Sequence, residues 1–217
     1  MMKENYGRMF GVTLAALEAE GVRPKLLLHA CCAPCSSHVL EVTARYFDLT
    51  LYFYNPNISP EEEFRFRLSE LERFVREVPY PDVKIAAPEY DAGEFFGAVR
   101  GMEDLPEGGK RCRVCYELRL RKTAEAAKAG GFDCFTTTLS ISPYKNAQWL
   151  NEIGGRLAEE YGISYLFSDF KKKNGYRRSI ELSREYGLYR QNYCGCVYSK
   201  IAAEKVRAER NNSPALS

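Results

Sequence analysis

The chain has 217 residues, 45% hydrophobic and 13% aromatic, enough for one sizeable core, so a single domain is the default. Its 31 Lys and Arg against 29 Asp and Glu leave a formal charge of +2, which neither demands nor excludes a nucleic-acid partner. The N-terminal stretch mixes charged and apolar residues without a continuous apolar h-region, and no apolar run approaches the roughly 20 residues of a membrane helix, so a soluble, cytoplasmic protein without membrane partners is expected.

Residues 1–24 read as an N-terminal helical segment. "KLLLHA" then has the length and continuous apolarity of a buried strand, followed by a tight loop and by "HVLEVTARYF" at helical spacing. "LTLYFYNPN" is a second strand ending in an Asn-Pro turn. "SPEEEFRFRLSELERFVREV" follows as a helix, with Ser59 as expected N-cap, Pro60 at the first position and acids in the first turn. "VKIAAPEYD" gives a third strand and "YELRLRKTAEAAKAGG" a helix closed by Gly130 and Gly131. "FDCFTTTLS" gives a fourth strand, "NAQWLNEIGGRLAEEYG" a helix and "ISYLFSDF" a fifth strand. The alternation predicts a three-layer α/β domain over residues 25–208, a parallel sheet with helices on both faces. Residues 209–217 are expected to fray. In such sheets ligands sit beyond the carboxyl ends of the strands, at the point where strand order reverses.

Eight cysteines in a chain of this kind argue for metal or redox chemistry, because cytoplasmic thiols are kept reduced. Cys134 stands alone in an alternating apolar stretch and reads as core. The other seven fall in three tight groups: Cys31, Cys32 and Cys35 after the first strand; Cys112 and Cys115, one helical turn apart; and Cys194 and Cys196 around Gly195. Seven thiols exceed what one tetrahedral zinc can use. A cubane iron–sulfur cluster takes four and leaves three, enough for a second metal with an open position. Alternatively Cys194 and Cys196 cycle between dithiol and disulfide. Cys32, Cys112 and Cys115 are the expected core ligands, with Cys31 or Cys194 as fourth. Neighbouring residues in extended backbone point to opposite sides, which favours separating Cys31 from Cys32 unless the strand end turns. His29 and His38 lie inside predicted elements and read as structural. No phosphate-binding glycine motif and no Ser/His/Asp set occurs, so the chemistry rests on sulfur.

"DFKKKNGYRRS" packs Lys171, Lys172, Lys173, Arg177 and Arg178 around one aromatic, a loop that either holds phosphates or is a solvated turn.

Taken in order, "HACCAPCSS", "YNPNISPEEEFRFR", "CRVCYELRL", "TTLSISPYKN" and "KKKNGYRRSIELSREYGLYRQNYCGCVYS" resemble the cobalamin-independent epoxyqueuosine reductases of the QueH type. The resemblance implies a fold similar to the HUP and PP-loop nucleotide-binding proteins, making residues 25–208 one iron–sulfur catalytic domain. It also implies a 4Fe–4S cluster with a neighbouring second iron, and no cobalamin. The implied reaction removes the epoxide oxygen from the modified wobble base of tRNA, leaving an alkene. On this reading Cys31, Cys32, Cys112 and Cys115 bind the cofactor, Cys35, Cys194 and Cys196 act in catalysis, and all seven are metal ligands. Tyr144, Lys145, Lys171, Lys172, Lys173, Arg177 and Arg178 would contact the tRNA. Electrons would come from a donor such as a ferredoxin or flavodoxin. The chain departs from some members of that family by carrying Cys35 where they have Asp, an acid proposed to bind the extra iron; a softer thiolate there alters what metal the position suits. The competing readings are an iron–sulfur-dependent desulfurase or tRNA thiolation enzyme, and a zinc-stabilised RNA-binding module.

Overall fold

The structure is a computed structural model that describes residues 4–212. Five strands form one all-parallel sheet: β1 (Lys25–His29), β2 (Asp48–Tyr52), β3 (Lys84–Ala86), β4 (Cys134–Thr137) and β5 (Ser164–Tyr165). Their order across the sheet is β3-β2-β1-β4-β5. β1 is therefore central, with β2 on one side and β4 on the other. Strand order reverses at the β1–β4 boundary, where His29 lies opposite Thr137.

The continuous apolar run of β1 is explained by cover on both faces. Leu26 and Leu28 point into one core with Val39, Leu40, Phe64 and Phe74. Leu27, between them, points into the other with Leu120, Phe135, Leu150 and Leu157. Each fully buried Leu contributes roughly 1.5–3 kcal/mol. The first face is covered by α2 (Ala33–Thr43) and α3 (Glu61–Glu77), with Phe10 and Leu14 of α1 (Tyr6–Glu20) against it; the second is covered by α5 (Lys110–Ala129) and α6 (Ala147–Tyr161). α6 approaches β5 closely, since a Cβ on Gly154 would fall 2.2 Å from the Tyr165 ring.

Several boundaries differ from the sequence expectation. α2 starts at Ala33, upstream of the expected stretch, because Pro34 suits a first helical turn and its missing N–H costs nothing there. The N-cap of α3 is Pro60 rather than Ser59, and no side chain caps that end; Glu61, Glu62 and Glu63 complement its dipole instead. β5 is only two residues long, so the expected fifth strand is mostly extended loop. Three helices had no sequence expectation: α4 (Ala92–Ala98), α7 (Gly175–Glu185) and α8 (Val197–Asn212). α7 occupies much of the presumed cationic loop. Residues 209–212 of the expected frayed tail continue α8, and 213–217 lie outside the described residues. No described helix is long and apolar enough to cross a membrane.

Candidate metal centre

Between β1 and α2 the backbone turns, with Cys32 extended as the residue preceding the helix. That turn brings Cys31 and Cys32 to the same place, their sulfurs 3.8 Å apart. With Cys35 in the first turn of α2, all three sulfurs lie within 4.8 Å of one another. The separation of Cys31 from Cys32 that an extended chain would give is thus absent. Hydrogen bonds from Cys32 and Cys35 hold the Cys31 thiol well below its ordinary pKa, against the effect of burial and with help from Arg119 and Thr138. The Cys31 interaction pushes Cys32 up to about 12 and raises Cys35 as well. The triad could bind a metal or metal cluster.

Cys112 and Cys115 face inward from the start of α5, and Cys194 and Cys196 arrive on the loop preceding α8. These four side chains line one small cavity with Asn57, Arg111 and Lys145. Cys32 is not among its lining residues; the fold groups it with Cys31 and Cys35. Burial raises the Cys112 thiol, opposed by the Gly108 N–H at 3.2 Å, and pushes Cys115 up to about 12. The Cys194–Cys196 loop is clamped in place. Ser59 N donates to Gly195 O at 3.0 Å, and Arg67 Nη1 donates to Cys194 O at 3.2 Å. Gly195 has φ +124, and a Cβ there would meet Ile58 at 3.0 Å and Arg67 at 3.1 Å, so only glycine is comfortable between the two cysteines.

The donor set fits a thiophilic metal group. Both polar atoms of the Asn57 side chain are buried at this cavity and have no hydrogen-bond partner among the described residues. Buried amides are rarely left so, and sulfide or thiolate acceptors would satisfy the donor. Lys145 Nζ donates to Cys194 Sγ at 3.0 Å and lies 3.5 Å from Glu107. Burial opposes its charge, but Cys194, Tyr116 and Glu107 outweigh that and raise its pKa above the usual lysine value.

Both thiol groups open onto a cavity of about 950 Å³ beyond the ends of β1 and β4, lined by Cys31, Cys35 and Cys194. Tyr144 and Lys145 also line it, Tyr144 with 78% of its surface exposed. The expected cations are placed otherwise. Arg178 is forked onto Glu41 of α2, at 2.7 to 3.2 Å, and Arg177 pairs with Glu181. Lys171 reaches Asp169 at 2.7 Å, while Lys172 and Lys173 are exposed in the turn before α7. None of these five lines the cavity, whereas Tyr176, Arg190 and Arg207 do.

Cys134 and the histidines match the structural reading. Cys134 is buried in β4 opposite Leu26. His38 reaches Glu41 at 3.0 Å. His29 is fully buried, and desolvation together with the Arg119 charge lowers its pKa to about 3, so it is neutral. Arg119 Nε donates to His29 Nε2 at 3.2 Å. The ring proton therefore sits on Nδ1, 2.8 Å from Thr137 Oγ1, and Tyr54 O near Nε2 is a contact without a proton. Asn55 ties this network to the strand, donating to Ala30 O at 2.9 Å and accepting from Arg119 at 2.5 Å. Sequence reasoning missed Arg119, Asn55 and Asn57; the two asparagines stood visible in "YNPN" but read only as a turn.

The family model for epoxyqueuosine reductase QueH matches residues 26–202. The chain is 46% identical to epoxyqueuosine reductase QueH of Streptococcus pyogenes over 200 residues, covering 91% of this chain and 78% of that one. It is 43% identical to the Staphylococcus epidermidis protein of the same name, covering 92% and 86%. It is 36% identical to that of Thermotoga maritima, covering 85% and 94%. The chain belongs to the QueH family of epoxyqueuosine reductases.

Proposed function

We propose that this chain reduces epoxyqueuosine to queuosine in tRNA, using a 4Fe–4S cluster held by Cys112, Cys115, Cys194 and Cys196 and a second iron held by Cys31, Cys32 and Cys35. The observation that carries this reading is one large cavity in a chain of this family lined by thiols of both groups, Cys194 of the four and Cys31 and Cys35 of the three. The desulfurase and zinc-module readings are not favoured, since the matching family and relatives are epoxyqueuosine reductases.

The reaction breaks both C–O bonds of the epoxide, forms the C=C bond and releases the oxygen as water, consuming two electrons and two protons. When bound, the metal groups supply electrons one at a time and a Lewis acid for the departing oxygen. The protein's own residues bind and orient. Tyr144 at the cavity mouth offers a ring on which an unpaired anticodon-loop base stacks, and Arg190 and Arg207 face the same space as partners for phosphate. Lys145 donates to Cys194 Sγ and so fixes where that sulfur points, and Arg67 fixes the backbone behind it. Lys172 and Lys173, exposed in the turn before α7, offer further cations to phosphate, with Lys171 and Arg177, paired with Asp169 and Glu181, beside them in sequence. A one-electron donor such as a ferredoxin or flavodoxin supplies the electrons, and a tRNA substrate places the reaction in the cytoplasm. The test is nucleoside analysis of tRNA from a deletion strain. Epoxyqueuosine should accumulate and disappear on complementation with this chain; unchanged queuosine would overturn the reading.

A further inference from the structure

Among the described residues no carboxylate answers the charge of Arg119. Its side chain is 2% exposed. Besides Cys115, its hydrogen-bond partners are the Asn55 amide oxygen and His29 Nε2, a ring nitrogen that accepts the bond and therefore carries no proton. Among the described residues no Asp or Glu forms an ion pair with it, whereas buried Arg67 has Glu63 and buried Lys145 has Glu107. Arg111, also without an acid, is held by the carbonyls of Met102, Glu103 and Leu105. A buried charge without a counter-charge is costly and is retained only where something compensates it. The groups around Arg119 that can carry a negative charge are thiols: Cys115, Cys31 and Cys194, drawn from both thiol sets. It lines the large cavity between Cys31 and Cys194.

We propose that Arg119 is the fixed counter-charge of the whole metal centre, a positioning residue that stabilises its electron-rich state and so raises its reduction potential. This rests on the reading that the thiols hold a redox-active iron centre. Arg119 is placed for the role by the strand end itself. Asn55 fixes one arm of the guanidinium against Ala30, and neutral His29 fixes Nε, so the charge cannot swing to solvent.

The test is a reductive titration of the anaerobically reconstituted protein with dithionite and mediators, followed by electron paramagnetic resonance. Arg119→Met should shift the one-electron equilibrium at least tenfold toward the oxidised form, about 59 mV more negative. Arg119→Lys should keep most of the wild-type potential. Asn55→Asp keeps the guanidinium but sets a carboxylate on it, and should shift the potential in the same direction as Arg119→Met. It decides the matter if Arg119→Met fails to fold or to hold iron. Potentials equal to wild type in the iron-replete variants would overturn the role of Arg119 alone. A wild-type protein with no reducible iron centre would overturn both this role and the reading on which it rests.

Discussion

The Lys145 ammonium lies 3.0 Å from the sulfur of Cys194, at the wall shared by the four-cysteine cavity and the large cavity. A buried cation at that distance offsets the negative charge that a metal–thiolate group brings into the site. Lys145→Met should therefore lower iron content after reconstitution and cut turnover at least tenfold, and Lys145→Arg should recover part of both. Iron assay and single-turnover kinetics read the outcome; full iron and full turnover in Lys145→Met would remove the residue from the site.

The two thiol sets should separate by mutation. Cys112→Ser, Cys115→Ser, Cys194→Ser and Cys196→Ser should each bleach the broad absorption near 400 nm. Cys31→Ser, Cys32→Ser and Cys35→Ser should keep that absorption while losing iron in excess of four per chain, and with it turnover. Cys35→Asp should keep part of the activity that Cys35→Ala abolishes, because a carboxylate can replace a thiolate on iron. Bleaching by Cys32→Ser would join the two sets again. Cys134→Ala should cost about 1–2 kcal/mol of packing and leave iron untouched.

Much of this could be read from the chain alone because it rests on local signals. The apolar run of β1, the strand–helix alternation and the three cysteine groups are sequence-adjacent features, and the parallel sheet follows from them. What could not be read is contact between distant segments. Cys194 meets Cys112 only because Gly195 lets the backbone pass Ile58 and Arg67, and nothing in the spacing of "YCGC" says which thiols it joins. Arg119 falls in a helix rich in Arg and Lys, most of them at least partly exposed, and only the fold tells it apart. α7 went unread because Asn174 and Gly175 look like a turn; Asn174, with positive φ, does end one, and Gly175 opens the helix.

RNA binding should depend on Tyr144 through its ring. Tyr144→Ala should weaken tRNA binding by about 1–3 kcal/mol, the range for one stacked base, and Tyr144→Phe should not. Reversing Lys172 and Lys173 should flatten the salt dependence by roughly one unit of slope per lost phosphate contact. Equal affinities across these variants, measured on the same tRNA at fixed salt, would move the interface elsewhere.

The Glu41–Arg178 fork should appear as an acid-dependent stability term. Arg178, aided by His38, holds the Glu41 carboxyl below its usual range against the effect of burial. A depressed carboxyl stabilises the fold above its unfolded pKa, and that contribution disappears as pH falls through the folded value. Both side chains are about one-third exposed, which limits the effect to about 0.5 kcal/mol. Glu41→Gln should lower Tm slightly at pH 7 and converge with wild type below the carboxylate range. A constant difference at every pH would assign the loss to packing.

The most direct measurement incubates the anaerobically reconstituted protein and a low-potential reductant with tRNA carrying epoxyqueuosine, then digests the RNA and quantifies its nucleosides by mass spectrometry. Epoxyqueuosine should fall and queuosine rise by the same amount, with no conversion by Cys112→Ser protein. Unchanged epoxyqueuosine with iron-replete wild-type protein would contradict the account.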